Sequence, residues 1–563
     1  IGLNSDNTIF HSSSSSLYGQ SSSYGGENIS EQTRTTAFTH QYLLNYLNTF
    51  GKHNVNVTAG FEGYRLKIDD FYAQGQNKYR ESDYTVGNVI DQRTGGGSVD
   101  EYRTAGFFFT GNYNFDQRFF FNLGYRHDGT SAFSSDNRWG DFYNFGLGWD
   151  MKKENWLADV DWLNQLKVRG SFGQTGNDNH LASTLDASPS YHTFYAYTDQ
   201  YNLTGANGVF SDGVLVYKGN PDLKWEKTNA FDFGVDYAFL GGRLNGAFDF
   251  YYRSTSNLLD FKNVAMSNGY TTIPVNVGTI HNYGLEFDVN YDIFKKPDFT
   301  WTVSFNGTFQ TSKVHKLSPD YANGQYVTGE RILKEGDPLY ELYLPHYEGV
   351  DPETGLALYT GVKADADGNP VTDANGNYVE ESTTDYNNAY TYNRKKSGDM
   401  QPDFYGGLGT QLYWKGFDFS LQTSFQLGGR IYDQGYQDLM ASGGTSFSAG
   451  QNWHQDILNA WTPENRYTDV PRVDVSDQYA NSSSDRWYKS SDYFSIDNIT
   501  LGYTLPKTLI RHIGLQSVRV FGSAENLWIF SARQGLDPRI GRIYVSSAWY
   551  AARRTISGGI KIV

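Results

Sequence analysis

Long stretches of this chain alternate strictly between apolar and polar residues, and the polar partners are often carboxylates. From Phe231 one register reads Phe231, Phe233, Val235, Tyr237, Phe239, against Asp232, Gly234, Asp236, Ala238. From Leu285 it reads Leu285, Phe287, Val289, Tyr291, Ile293, against Glu286, Asp288, Asn290, Asp292. The run from Trp301 behaves the same way, with Trp301, Val303, Phe305 and Phe309 opposed to Thr302, Ser304, Asn306, Thr308 and Gln310. Successive side chains of a β-strand point to opposite faces, so each run is a strand with one apolar and one aqueous face. Runs of about 10 to 17 residues exceed the usual five or six of a soluble sheet. They match tilted strands that cross a bilayer.

The pattern predicts about fifteen strands, near 33–50, 54–66, 101–115, 118–133, 143–150, 164–176, 229–239, 244–259, 276–294, 300–314, 404–415, 417–433, 494–506, 517–531 and 546–563. Every second connection is short, at Gly51–His53, Asp116–Gln117, Leu240–Arg243, Lys295–Phe299 and Gly416. The alternate ones, at 67–100, 177–228, 315–403 and 434–493, are long. Outer-membrane barrels have this asymmetry, with tight periplasmic turns and large extracellular loops. The 151–163 connection fits least well, being longer than a tight turn.

Composition narrows the choice. Aromatics are 17% of the chain within a hydrophobic total of only 38%, led by 44 Tyr and 37 Phe. Together with 60 Gly this suits a wall with lipid on one side and water on the other. No apolar run approaches the roughly 18 residues of a membrane helix. Aromatics gather near strand ends (Tyr113, Phe115, Trp149, Trp156, Trp301, Trp414, Trp528, Trp549), as interfacial girdles do. The absence of Cys excludes disulfides, thiolate zinc sites and thiol nucleophiles. A net charge of −16 with no basic stripe argues against nucleic acid. The chain opens in Ser-rich polar sequence without a signal peptide, so it is expected to be a mature or truncated piece.

Several segments resemble, in order, the C-terminal half of SusC/RagA-type TonB-linked outer-membrane proteins of Bacteroidota. They are Ser171–Asn177 (SFGQTGN), Asn220–Tyr237 (NPDLKWEKTNAFDFGVDY) and Asn276–Val289 (NVGTIHNYGLEFDV). Pro402–Asp433, Ser491–Lys507, Val518–Arg539 and Arg554–Val563 continue the series. The resemblance implies an all-β transmembrane antiparallel barrel, with about 15 strands here of an expected 22 or so. The plug and first strands are then expected outside this sequence, with 1–32 an extracellular loop remnant and 33–563 the C-terminal part of the barrel. A closing aromatic is usual in such barrels, and Val563 stands there instead, so a further residue is expected. The resemblance also implies a SusD-like surface lipoprotein as lid, TonB acting through the missing N-terminal region, contact with outer-membrane lipid, and oligosaccharide or oligopeptide cargo. Dimerisation of the lid-bearing pair is left open, and no cofactor is implied.

No HExxH, GxSxG or P-loop occurs, and most carboxylates fall on the aqueous register, which reads as solvated wall rather than acid–base catalyst. Asp365-Ala366-Asp367-Gly368-Asn369 and Asp373-Ala374-Asn375-Gly376-Asn377 space oxygens as calcium loops do, but Gly376 stands where a bidentate Glu belongs. Two Asp-Gly and Asn-Gly turns in a hairpin account for them better. The long loops carry many aromatics, which stack on sugars, pack peptides or simply pack on one another. Tyr195, Tyr197, Tyr343, Trp453, Trp487 and Tyr488 are the candidates for ligand contact. The reading is an outer-membrane importer whose wall and vestibule this chain forms. Its rival is an adhesion or secretion-associated barrel that binds proteins without passing nutrients.

Overall fold

The computed structural model describes residues 1–178, 193–202, 205–206, 209–210, 213–318, 321, 324–442, 452–541, 545 and 550–563. Sixteen strands make one sheet in which each strand pairs with its neighbours in chain order, once the loop strands are set aside. They are β1 (Gly2–Ser14), β2 (Glu27–Phe50), β3 (His53–Lys78), β4 (Val89–Phe115), β5 (Phe119–Thr130), β6 (Trp139–Asp150), β7 (Leu163–Asn177) and β8 (Glu226–Phe239). The series continues with β9 (Leu244–Asn263), β10 (Thr272–Lys296), β11 (Phe299–Lys316), β12 (Phe404–Trp414), β13 (Phe417–Leu427), β14 (Tyr493–Thr504), β15 (Val518–Ser531) and β16 (Thr555–Ile562). The pairings from β1 to β6 and from β11 to β16 are antiparallel, as an up-and-down wall requires.

The fifteen expected strands all occur, and a sixteenth, β1, lies in the segment read from sequence as loop. β1 pairs along its whole length with β2, which begins at Glu27. The last strand starts at Thr555, later than expected, and Trp549 lies outside the described residues.

The short connections close as hairpins by the backbone chemistry their residues allow. Lys415 and Gly416 have φ of 46° and 94°, with Trp414 paired directly to Phe417. Positive φ at both central residues is the signature of a type I′ turn, whose twist matches the flanking strands. Gly51, at φ 60°, serves the β2–β3 hairpin. The 151–162 and 505–517 connections are longer and hold short helical turns at Asn155–Ala158 and Lys507–Ile510.

The chain divides into two compact units, Ile1–Trp149 with 169–231 and 254–279, and 150–168 with 232–253 and 280–563. In the first, Phe61 meets Phe107 at 4.9 Å between ring centroids, and one register carries Phe107, Phe109, Phe121, Leu123, Tyr125, Tyr143, Phe145 and Leu147, all exposed. The opposite register holds Glu62, Asn112, Asn122, Arg126, Asp128 and Asn144. The second unit repeats this. Phe305, Leu408, Phe425 and Phe494 share one face, while Asp418 and Arg519 pair on the other, with Arg519 Nε donating to Asp418 Oδ1 at 2.9 Å. A half-bare Phe leaves about 100 Å² of apolar surface, which would cost about 2.5 kcal/mol in water. Repeated along every strand, such a face is stable only against lipid. Aromatic clusters mark the hairpin ends: Phe119 on Trp149 at 6.1 Å, Phe294 on Phe299 at 5.2 Å, and Phe417 on Tyr503 at 4.3 Å.

Candidate functional site: the outer loop layer

At the ends of the strands away from the hairpins, the sequence motifs quoted above do structural work on the loops. In the first unit Trp225 donates its indole N–H to Arg138 O (2.9 Å) and sits edge-on to Phe133 and Phe142. Leu223, from the same Asn-Pro-Asp-Leu turn, is fully buried with Phe133, Ala196, Tyr217 and Leu259. Asn276 binds across the motifs, donating to Lys224 O (2.8 Å) and Asn257 O (2.9 Å) and accepting from Lys224 N–H (2.9 Å). These segments therefore tie loop to wall.

The second unit has its own tie. Asp433 is wholly buried and holds Arg533 through two bonds, Nε to Oδ2 at 2.7 Å and Nη2 to Oδ1 at 2.9 Å. Its Oδ1 also accepts the Tyr436 N–H (3.1 Å), which starts the short helix Gln434–Leu439. Arg539 grips Asp537 through Nε (2.9 Å) and Nη2 (2.8 Å) and reaches Asp497 at 3.1 Å. At Gly428 and Gly429 the chain turns with φ of 81° and 85°, and a Cβ on Gly428 would meet the Asp403 carboxylate at 2.5 Å.

Above that base the loops of the second unit fold into small sheets. One joins 325–328, 331–334, 341–344 and 395–399, and another joins 347–350, 357–362 and 380–383. The same loops hold buried aromatic cores. Trp487 is 1% exposed among Met440, Ile457, Ala460 and Val470, with its indole N–H on Ser482 O at 2.9 Å. Tyr488 packs with Leu342, Leu344 and Met400, and its hydroxyl donates to Glu330 Oε2 at 2.5 Å. Burial, with Glu330 beside it, pushes the Tyr488 phenol well above its ordinary range, and burial pushes Tyr347 up to about 12. Both remain donors under all physiological conditions.

The six candidate aromatics are divided between the two units. Tyr195 and Tyr197 are half-buried in the first unit, where the Tyr195 hydroxyl accepts the Glu101 N–H at 3.0 Å. Tyr343, Trp453, Trp487 and Tyr488 belong to the second. Tyr343 is half-buried with Arg394 5.1 Å over its ring, and Trp453 is exposed with its indole N–H on Ala441 O at 2.9 Å. Trp487 and Tyr488 are loop core, turned away from solvent.

A feature missed at the sequence level is an open cleft of about 550 Å³ in the second unit, lined by residues of 348–352 and 459–469. Tyr467 stands at its rim 94% exposed, next to Arg466 and Asp469. Glu348 is held in place by Thr360 Oγ1 (2.6 Å) and Ser382, and Thr468 Oγ1 donates to Asn459 O (2.7 Å). The available signal was a tyrosine in a polar stretch bounded by Pro463 and Pro471, where nothing apolar adjoins it. The two Asp-Gly and Asn-Gly segments are hairpin turns: Asp365 Oδ1 accepts from Asp367 and Asn369 N–H, and Asp373 Oδ1 from Asn375 and Asn377 N–H, at 2.8 to 2.9 Å.

Comparison with known proteins agrees with this architecture. A family model described as "TonB dependent receptor-like, beta-barrel" matches residues 2–527. TonB-dependent receptor P3 of Formosa agariphila is 30% identical over 561 residues, covering 96% of this chain and 52% of the relative. TonB-dependent receptor SusC of Bacteroides thetaiotaomicron is 28% identical over 516 residues, covering 89% and 48%. The chain spans about half the length of these curated relatives. Among solved structures, the RagAB peptide transporter superposes with a TM-score of 0.81 at 23% identity, over 100% of this chain and 59% of that one, a likeness of fold. The chain belongs to the TonB-dependent receptor β-barrel family, with SusC- and RagA-like relatives, and is an outer-membrane protein.

Proposed function

We propose that this chain is the wall and outer vestibule of an active importer, which takes up oligosaccharides or oligopeptides too large for open pores. TonB works it through a region outside this sequence, and a SusD-like lipoprotein covers its outer mouth. One observation carries the reading beyond family membership: the outer loops are folded, cored layers bolted to the wall, and one of them presents a polar cleft with a bare aromatic rim. Such surfaces bind extended polar cargo through aromatic stacking and planar hydrogen-bonding groups. Tyr195, Tyr197, Tyr343 and Trp453 retain exposed surface for cargo or lid, whereas Trp487 and Tyr488 hold the loops in shape. The chemistry asked of the chain is differential affinity between open and closed states, with no covalent step.

The test is growth. A strain lacking the full-length gene should fail on a particular oligosaccharide or oligopeptide source and recover with the wild-type gene. A Tyr467→Ala, Trp453→Ala variant that still reaches the outer membrane should grow poorly when that source is scarce. Unimpaired growth of the deletion strain on every such source, with loss of surface attachment instead, would favour the adhesion reading.

A further inference from the structure

Strands β2, β3 and β4 run well beyond the apolar band, and their outward register changes character in a fixed order. Phe61 and Phe107 form the last directly paired aromatic row of β3 and β4. Next comes Gly63 opposite Ala105, with the His40 imidazole lying over the glycine, where a Cβ would fall 2.3 Å from its Cε1. The following row is Phe38, Arg65 and Arg103, then Thr36, Lys67 and Glu101, then Arg34, Asp69 and Val99. No bulge interrupts this stretch, so all these side chains share the face of Phe61 and Phe107.

The height of the arginine row follows from the register. Twelve residues separate Arg65 from His53, and Arg103 from Phe115, which pair at the hairpin end. At ~3.4 Å per residue and a tilt of ~40°, that is ~31 Å, against an apolar band ~25 Å tall. Arg65 and Arg103 therefore stand at the level of the outer-leaflet headgroups. They are directly opposed across the strands, a placement that like charges disfavour. One carboxylate serves both: Glu101 lies 2.5 Å from Arg65 Nη2 and also pairs with Arg103. Lys67 pairs with Asp69 at 2.6 Å, and Arg34, exposed, faces that same Asp69 across the ladder. Four cations thus meet two carboxylates, on a chain whose net charge is −16. The side chains of Arg65 and Arg103 stay 50% and 59% exposed, open to a further anion.

We propose that Arg65 and Arg103, flanked by Lys67 and Arg34, form a docking patch for the phosphorylated headgroup of an outer-leaflet glycolipid. The guanidinium forks take phosphate oxygens in the manner suited to Arg, while the acyl chains lie along the aromatic face below. The patch binds the wall to its own leaflet and is independent of cargo.

The experiment uses the full-length protein in mild detergent, titrated with phosphorylated lipid A or enzymatically dephosphorylated lipid A and read by native mass spectrometry. The wild type should retain the phosphorylated form preferentially. Arg65→Gln with Arg103→Gln should weaken that binding by about 30-fold, as expected for two headgroup-level cations, and leave the dephosphorylated lipid unaffected. The heat-dependent gel shift of a folded barrel verifies each variant. If the double variant does not fold, Glu101→Gln decides, because freeing both arginines should tighten binding of phosphorylated lipid A. Equal retention of the two lipids by the wild type would overturn the proposal. So would unchanged binding in the folded double variant, no tightening in Glu101→Gln, or displacement of the lipid by equimolar inorganic phosphate.

Discussion

Replacing Asp433 by Ala should loosen one outer loop while leaving the wall intact. The carboxylate is wholly buried and accepts three bonds, two from the Arg533 guanidinium and one from the Tyr436 N–H. Arg533 is itself only 24% exposed, so removing its partner strands a largely buried cation. Breaking a buried pair from one side costs about 3–5 kcal/mol, most of it the uncompensated charge. If the loss falls on local opening of the loop, backbone amides there exchange faster by roughly 10² to 10⁴. The assay is hydrogen–deuterium exchange on the full-length protein in detergent, comparing residues 430–442 with β12–β14. Asp433→Asn keeps an acceptor for the helix cap and one guanidinium bond, and should lose about 1–3 kcal/mol. The reasoning is refuted if 430–442 exchange at the wild-type rate in Asp433→Ala, or if the wall strands lose protection to the same extent.

Three further outcomes follow from the same geometry. Leu123→Arg, on the exposed apolar register of β5, should cost about 2–4 kcal/mol in urea unfolding in lipid, whereas Asn122→Arg on the polar register should be tolerated. Trp487→Ala should destabilise its loop core by about 3–5 kcal/mol, seen as rapid protease cleavage within 452–490 while the barrel still shifts on heating. Glu81 is held low, at about 2, by hydrogen bonds from Ser15 and Ser16. Because its folded pKa lies below its unfolded one, the contact between the 15–26 and 79–88 loops should hold above about pH 4.5 and fade as pH falls toward 2. Amide exchange at Ser16 against pH reads this directly, and Glu81→Gln should abolish the dependence.

Much of the wall was legible because lipid on one side and water on the other imposes the period-two code on each strand. The hairpins were legible for a similar reason: Lys415-Gly416 and Gly51 carry residues that tolerate positive φ. β1 was not, since Ile9 and Phe10 fall on opposite faces amid Ser, Asn and Thr, and alternation gives no signal there. Its strand state comes from backbone bonding to β2, which sequence does not advertise. The outer halves of β3 and β4 were lost likewise, because beyond Arg65 and Arg103 the apolar residues, Leu66, Ile68, Tyr72, Phe71 and Val99, no longer keep to one face. Among loop aromatics, composition cannot separate Trp487, 1% exposed, from Tyr467, 94% exposed. Their difference lies in neighbours brought from distant positions: Met440 and Ile457 enclose one, whereas the other stands at the rim of an open cleft.

The central claim is that this sheet crosses the outer membrane with its odd-numbered β5 residues in lipid. This sequence has no Cys, so single cysteines can be placed at successive positions from Phe121 to Arg126 in the full-length protein, with any cysteine outside this sequence replaced, and spin-labelled in bilayers. The account predicts period-two accessibility, with oxygen reaching labels at 121, 123 and 125 and a water-soluble nickel complex reaching those at 122, 124 and 126. Equal access of the nickel complex to both sets, or the opposite phase, would contradict it.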